Sequence, residues 1–301
     1  MNTVQIGVVF SQADSGVDAD ALRHWVRRAE DAGFEHVLAY DHILGASAER
    51  LGPGPFGAFD SPAYTSEHTF HEILTLFSHF AAITERLEFV TSVLVLPQRQ
   101  TALVAKQIAT LDLLSGGRIC PAVGVGWNFA EYEGLGVDFS TRTRLLEEQI
   151  DVLRLLWTEP LVDFDGEFHR LRGVGINPLP TRTIPLYVGS GAAEPVLRRV
   201  ARKADGWLPL LIPGLDGIAF RDAVPRLRQI CEEVGRDPAT MPIHARVYVG
   251  DGWQAEVEEA LELGVAKLSI GFNRMANPGL THAQHLDAVL RAKPELDALV
   301  G

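Results

Sequence analysis

Apolar residues along the 301-residue chain follow two alternating patterns. Short β-branched runs, VQIGVVF, HVLAYD, LEFVTSVLVL and RICPAVGVG, are apolar at nearly every position, as strands covered on both faces are. Between them apolar residues recur every three or four positions. Leu22, Val26 and Ala29 share a face over 18–32, Val104, Ile108 and Leu111 follow the third run, and Leu146, Ile150, Leu153 and Trp157 line 140–157. A further helix is expected near 68–84. The alternation continues through TIPLYVG, GWLPLL, IHARVYVG and AKLSIGF, with helices ending near Ala204 and spanning 217–234, 254–263 and 281–299. About eight βα units result, which predicts an α/β chain closed as a (β/α)8 TIM barrel. A doubly wound open sheet shares the pattern, because strand order is not visible in one sequence.

Two stretches break the alternation. GASAERLGPGPFGAFDSPAYTS, rich in Gly and Pro, makes a long loop after strand two. Its Phe56, Phe59 and Tyr64 fit an apolar lid, a packed loop or part of a dimer contact. LVDFDGEFHRLRG carries Asp-Gly between alternating residues and predicts a β-hairpin insertion. No linker, low-complexity tract or change of charge divides the chain, so residues 1–301 are expected to form a single domain.

Composition narrows the function. The formal net charge is -12 and the basic residues are scattered, which disfavours nucleic acid and anionic membranes as partners and leaves small molecules. No apolar run approaches the roughly 20 residues that span a bilayer, and MNTVQIGVVF has no signal-peptide pattern. Cys120 and Cys231 stand far apart outside any CxxC pair, as buried thiols in a reducing compartment do. A cytoplasmic protein without a disulfide is expected.

In a (β/α)8 barrel the chemistry gathers at the C-terminal strand ends. Strand two ends in Asp41 and His42; the imidazole is either a hydrogen-bonded strand-end residue or a functional group that titrates near neutrality. Thr91 and Ser92 interrupt the third apolar run, either facing something polar or bonding to neighbouring carbonyls. GVGWN, residues 124–128, brings Gly126 and Trp127 to the rim, where the indole either walls a planar ligand or fills the loop. Gly189, Ser190 and Gly191 precede a helix, as a phosphate cradle or a plain helix-capping turn would. His68 and His71, one predicted helical turn apart, match no zinc spacing, and no metal is expected. No GxSxG elbow, Walker loop or CxxC cluster occurs.

Three segments in order, AEDAGFEHVLAYDHIL, VTSVLVLPQRQTALVAKQIATLDLLSGGRICPAVGVGWNFAEYEGLGVDFSTR and IPLYVGSGAAEPVLRRVARKADGW, resemble the bacterial luciferase-like superfamily. The similarity is strongest over about 86–157 and weakens beyond 210. The resemblance implies a TIM barrel with a hairpin insertion, usually dimeric, binding F420 or FMN across the strand ends. In its deazaflavin-dependent branch, a histidine after an aspartate lies beside the reactive ring edge, which His42 matches, so Asp41 and His42 would face the ring. A non-prolyl cis peptide there bulges against the ring, and Ser92 and Val93 match it. The Gly189–Gly191 turn would hold the coenzyme phosphate, with Thr91, Gly126 and Trp127 completing the cofactor site. Sugar-phosphate dehydrogenases of the family have a glutamate where this chain has Trp127; Glu131 and Glu133 stand further along that loop. Arg246 and Arg274, near late strand ends, are not grouped as a phosphorylated substrate would require. An F420-dependent oxidoreductase with His42 as its acid or base is the implied function, with an FMN-dependent monooxygenase and a non-catalytic flavin-binding protein as rivals.

Overall fold

β1 (Gln5–Phe10) buries all but its first residue, as a strand between two apolar layers must. In the computed structural model, which describes residues 4–52, 64–211, 218–272 and 279–301, it leads into α1 (Ala19–Asp31). The Asp18 carboxylate caps that helix by accepting the N–H groups of Asp20 and Ala21, and Leu22, Trp25, Val26 and Ala29 turn its apolar face to the sheet. β2 (His36–Ala39), α2 (Ala48–Leu51) and α3 (Ile73–Ala81) follow. The helix expected from 68 starts only at Ile73, because Glu72 is its N-cap and accepts the Thr75 N–H. His68 and His71 therefore precede the helix and do not share a helical face.

Next come β3 (Glu88–Thr91), β4 (Leu94–Val95), α4 (Thr101–Ser115), β5 (Ile119–Cys120), β6 (Ala122–Gly124), α5 (Phe129–Gly134) and α6 (Arg142–Thr158). β7 (Val162–Asp165) and β8 (Arg170–Val174) form the antiparallel hairpin expected at the Asp-Gly turn. The series closes with β9 (Tyr187–Ser190), α7 (Glu194–Lys203), β10 (Gly206–Pro209), α8 (Phe220–Glu233), β11 (His244–Val249), α9 (Trp253–Glu262), β12 (Lys267–Phe272) and α10 (His282–Val300).

Apart from the hairpin every strand pairing is parallel. One sheet runs β11-β12-β1-β2-β3-β5 and the other β10-β9-β6-β4. β3 and β4 are halves of one strand broken at Ser92–Val93, and β5 and β6 are halves of one broken at Pro121, so both sheets share these staves. The ring closes where the Trp207 N–H donates to the Pro242 carbonyl (3.0 Å) and Trp207 pairs with Ile243. The result is the eight-stave (β/α)8 barrel that the alternation predicts, and the open-sheet reading falls.

Strand alternation divides the core in two. Val37 and Ala39 face the helices, while Leu38 joins Val9, Val90, Cys120, Ala122, Tyr187 and Leu208 inside the barrel. Beneath this plug Ser269 Oγ lies 2.8 Å from both His36 Nε2 and His244 Nε2. Above it the staves carry Tyr40, Ser92, Val93, Arg246 and Tyr248 toward the C-terminal mouth. Among the described residues no helix is long and apolar enough to cross a membrane. Both cysteines are free and buried, and burial pushes the Cys120 thiol up to about 12.

Candidate active site

His42 lies three residues past the end of β2, with its side chain only 15% exposed. Its Nδ1 is 3.1 Å from Oε2 of Glu131, a residue of α5. The Glu131 carboxylate is fully occupied. Oε1 accepts the N–H groups of Ile43 (2.7 Å) and Leu44 (3.0 Å), and Oε2 also accepts the Tyr64 hydroxyl (2.8 Å). Burial pushes the Glu131 carboxyl upward, but the contacts with His42, the Leu44 N–H and the Tyr64 hydroxyl outweigh it and hold it below the usual glutamate range. An ionised carboxylate only accepts, so Nδ1 of His42 must be the donor. In the neutral ring Nε2 then carries the lone pair, and among the described residues no partner bonds to it.

Aromatic rings fix the imidazole plane. Tyr64 stacks on it at 3.7 Å between centroids, Phe70 meets it edge-on at 5.0 Å, and Trp127 stands at 6.2 Å. Tyr64 also accepts a hydrogen bond from Asn128 Nδ2, and Asn128 caps α5 through Oδ1. Burial, reinforced by Glu131, pushes the Tyr64 phenol far above its ordinary value, so it stays a donor. A cavity of about 120 Å³, lined by His42, Leu44, Tyr64, Thr65, His68 and Phe70, opens beside this cluster. Phe56 and Phe59 lie outside the described residues.

Asp41 is placed differently from its expected position facing a ligand. Its side chain is fully buried and clamped by Arg99, whose Nη2 is 2.6 Å from Oδ1, while Oδ2 accepts the Val95 N–H at 3.0 Å. Arg99 also binds Glu72 at 2.8 Å. Burial disfavours the guanidinium charge, but the two carboxylates hold its pKa above the ordinary arginine value. Asp41 therefore ties the His42 strand end to β4 and presents no free oxygen to the mouth. Thr91 is likewise used up: its hydroxyl donates to the Ala122 carbonyl (2.7 Å) and accepts the Ala122 N–H (2.9 Å), stitching β3 to β6. Both side chains spend their polar atoms on partners inside the protein, as buried polar groups do.

Ser92 and Val93 are joined by a cis peptide bond, as the resemblance implies. The half-buried Val93 side chain fits only because two neighbours lack a Cβ: one at Gly189 would lie 2.0 Å from Cγ1, and one at Gly124 2.6 Å from Cγ2. Gly126 sits at φ +63°, where a Cβ would meet Val95. Trp127 is half-buried at the rim. Past Gly189, Ser190 Oγ accepts the Trp207 indole N–H at 3.1 Å. Gly191 follows, and α7 opens on Ala193, which supplies no side-chain cap; Pro195 at its second position has no N–H, and the Val196 N–H donates to the Ala193 carbonyl at 2.8 Å. His42, Trp127, Val93 and the Gly189–Gly191 turn thus stand on strand ends of one rim. Glu131 reaches His42, whereas Glu133 turns away to Arg50.

A family model described as luciferase-like monooxygenase matches residues 4–297. The chain belongs to that family. Among its relatives, an uncharacterised protein of Mycobacterium tuberculosis is 33% identical over 264 residues, covering 87% of this chain and 88% of the relative. The F420-dependent glucose-6-phosphate dehydrogenase of Nocardia farcinica is 28% identical over 242 residues, 72% of each chain. A solved F420-dependent secondary alcohol dehydrogenase, in complex with an F420-acetone adduct, superposes with a TM-score of 0.70 at 19% identity, covering 90% of this chain and 93% of the other. This luciferase-like chain shares its barrel with that enzyme.

Proposed function

We propose that this luciferase-like protein is an oxidoreductase that binds the deazaflavin F420 across the barrel mouth and acts on a small organic substrate, with His42 moving the proton. The observation that carries the reading is the Glu131 contact on Nδ1, which leaves Nε2 of an aromatic-caged imidazole without a partner among the described residues. The residues fit the coenzyme. Val93, wedged between Gly124 and Gly189, offers a flat apolar buttress, and the small residues of the Gly189–Gly191 turn, just ahead of α7, let a phosphate approach bare backbone. A bound deazaflavin supplies a ring carbon that gives or takes a hydride.

The chain's own part is positional and protolytic. Tyr64 and Phe70 hold the imidazole in one plane, Glu131 fixes its tautomer and offsets its charge when protonated, and Nε2 takes or returns one proton. Ser92, Gly126, Trp127, Ser190 and Gly191 complete the cofactor surface in this reading. The F420-dependent relatives favour the deazaflavin over FMN, and a glutamate reaching His42 from α5 answers the proton-handling gap left by Trp127.

Equilibrium dialysis of the full chain against F420 and FMN, read by absorbance of the retained fraction, tests the coenzyme. Retention of F420 with little FMN is expected; retention of FMN alone sinks the assignment. His42→Ala should keep F420 binding and lose about 10² to 10⁴ in turnover. Undiminished turnover would remove His42 from the chemistry.

A further inference from the structure

Just inside the mouth lies a cation whose partners do not neutralise it. Arg246 points inward from β11, in register with Ser269 of β12 and two residues above the buried His244. Its guanidinium is flanked by the rings of Tyr248 (5.3 Å) and Tyr40 (5.7 Å), whose hydroxyls bond to each other. Its contact with Ser92 Oγ, at 3.5 Å, is long. Among the described residues no carboxylate forms an ion pair with it, although Arg99, Arg154, Arg182 and Arg226 all find one. A half-buried guanidinium that no described carboxylate neutralises is costly, so the position suits an anion. Arg274, the other late-strand arginine, lies outside the described residues.

The neighbours of Arg246 say which anion. Ser92 belongs to the same cis peptide as Val93, the buttress of the proposed ring site, and Tyr40 stands two residues before His42. The cation therefore borders the floor on which a coenzyme ring would rest. A tricyclic ring that takes up a hydride while His42 takes the accompanying proton would carry one more negative charge than before, which the N–C–O edge of its pyrimidine portion can hold. We propose that Arg246 is the counter-cation for that edge, so that the protein holds the reduced coenzyme more tightly than the oxidised one. The inference rests on the reading given under Proposed function. Tyr40 and Tyr248 keep the guanidinium in place without cancelling its charge, which an Asp or Glu would do.

The test is the ratio of the dissociation constants for oxidised and reduced F420, measured anaerobically by fluorescence on the full chain. Wild-type protein should bind the reduced form more tightly. Arg246→Gln should weaken the reduced form at least tenfold more than the oxidised form, lowering the two-electron midpoint of the bound coenzyme by about 30 mV. Arg246→Lys, which keeps the charge, should retain most of the preference. Equal weakening of both forms in Arg246→Gln, or tighter binding of the oxidised form by the wild type, overturns the inference and leaves the F420 reading standing. No F420 binding by the wild type overturns both. The wild-type ratio needs no variant, so a failure of Arg246→Gln to fold still leaves a deciding measurement.

Discussion

Nδ1 of His42 and Oε2 of Glu131, 89 positions apart in the chain, lie 3.1 Å from each other. The pair makes Glu131 a positioning residue for the proposed proton transfer. Glu131→Gln keeps an acceptor for the Ile43 and Leu44 N–H groups and so preserves the loop, but it removes the negative charge beside the ring and blurs the choice of tautomer. Turnover should fall on the order of 10²-fold while F420 affinity changes little. A large change in affinity with kcat intact would show that Glu131 shapes the binding surface instead.

The Asp41–Arg99 pair should matter for stability rather than chemistry. Both side chains are buried and the guanidinium also grips Glu72, the cap of α3, so Arg99→Met strands two carboxylates, one of them fully buried. Breaking a buried pair from one side costs about 3 to 5 kcal/mol. The loss is expected in the urea-unfolding free energy, and a loss below about 1 kcal/mol would mean that water reaches Asp41 freely.

Val93 and the two bare backbones beneath it predict a compensating pair. A methyl group at 189 would sit 2.0 Å from Val93 Cγ1, so Gly189→Ala must push the valine into the mouth. Coenzyme affinity should drop at least tenfold, or about 1.4 kcal/mol. Adding Val93→Ala empties the contested space and should recover most of that loss, a coupling that a double-mutant cycle on Kd measures directly. Additive effects would place the ring away from Val93.

The barrel was legible because its signals are local. Leu22, Val26 and Ala29 announce α1 by spacing alone, and Asp165-Gly166 announces the hairpin. His42 was legible as a polar residue at a strand end, and the Ser92–Val93 step only through the family resemblance. The partners of these residues were not. Glu131 stands three residues after Asn128, a spacing that reads as a helix-capping pair; Asn128 does cap α5, but the glutamate leaves the helix for His42 and Tyr64. Asp41 and Thr91 look like ligand-facing groups because a sequence cannot show that Arg99 and the Ala122 backbone reach them first. Side-chain direction is settled by contacts between distant segments, and one chain without its fold carries no record of them.

The base of the barrel predicts acid sensitivity. His36 and His244 flank Ser269 in full burial, and burial first, then the charges of His244 and Lys267 on His36 and of Lys267 and Arg246 on His244, hold both far below the ordinary histidine value. In the unfolded chain each protonates near pH 6.5, whereas in the folded protein each stays neutral well below that. The unfolded state therefore binds more protons as pH falls past about 6.5, and stability declines there by up to about 1.4 kcal/mol per pH unit for each histidine. The contribution is fully present above pH 6.5, and the decline ends only when pH reaches the folded-state values. Urea unfolding followed from pH 8 to pH 5 should show that slope, and His244→Asn, which keeps a donor for Ser269, should reduce it by one proton. An unchanged slope in the variant would remove His244 as a source of the loss, since carboxylates such as Glu131, whose folded-state value is depressed, lose their stabilisation only below the ordinary glutamate range and so outside this window.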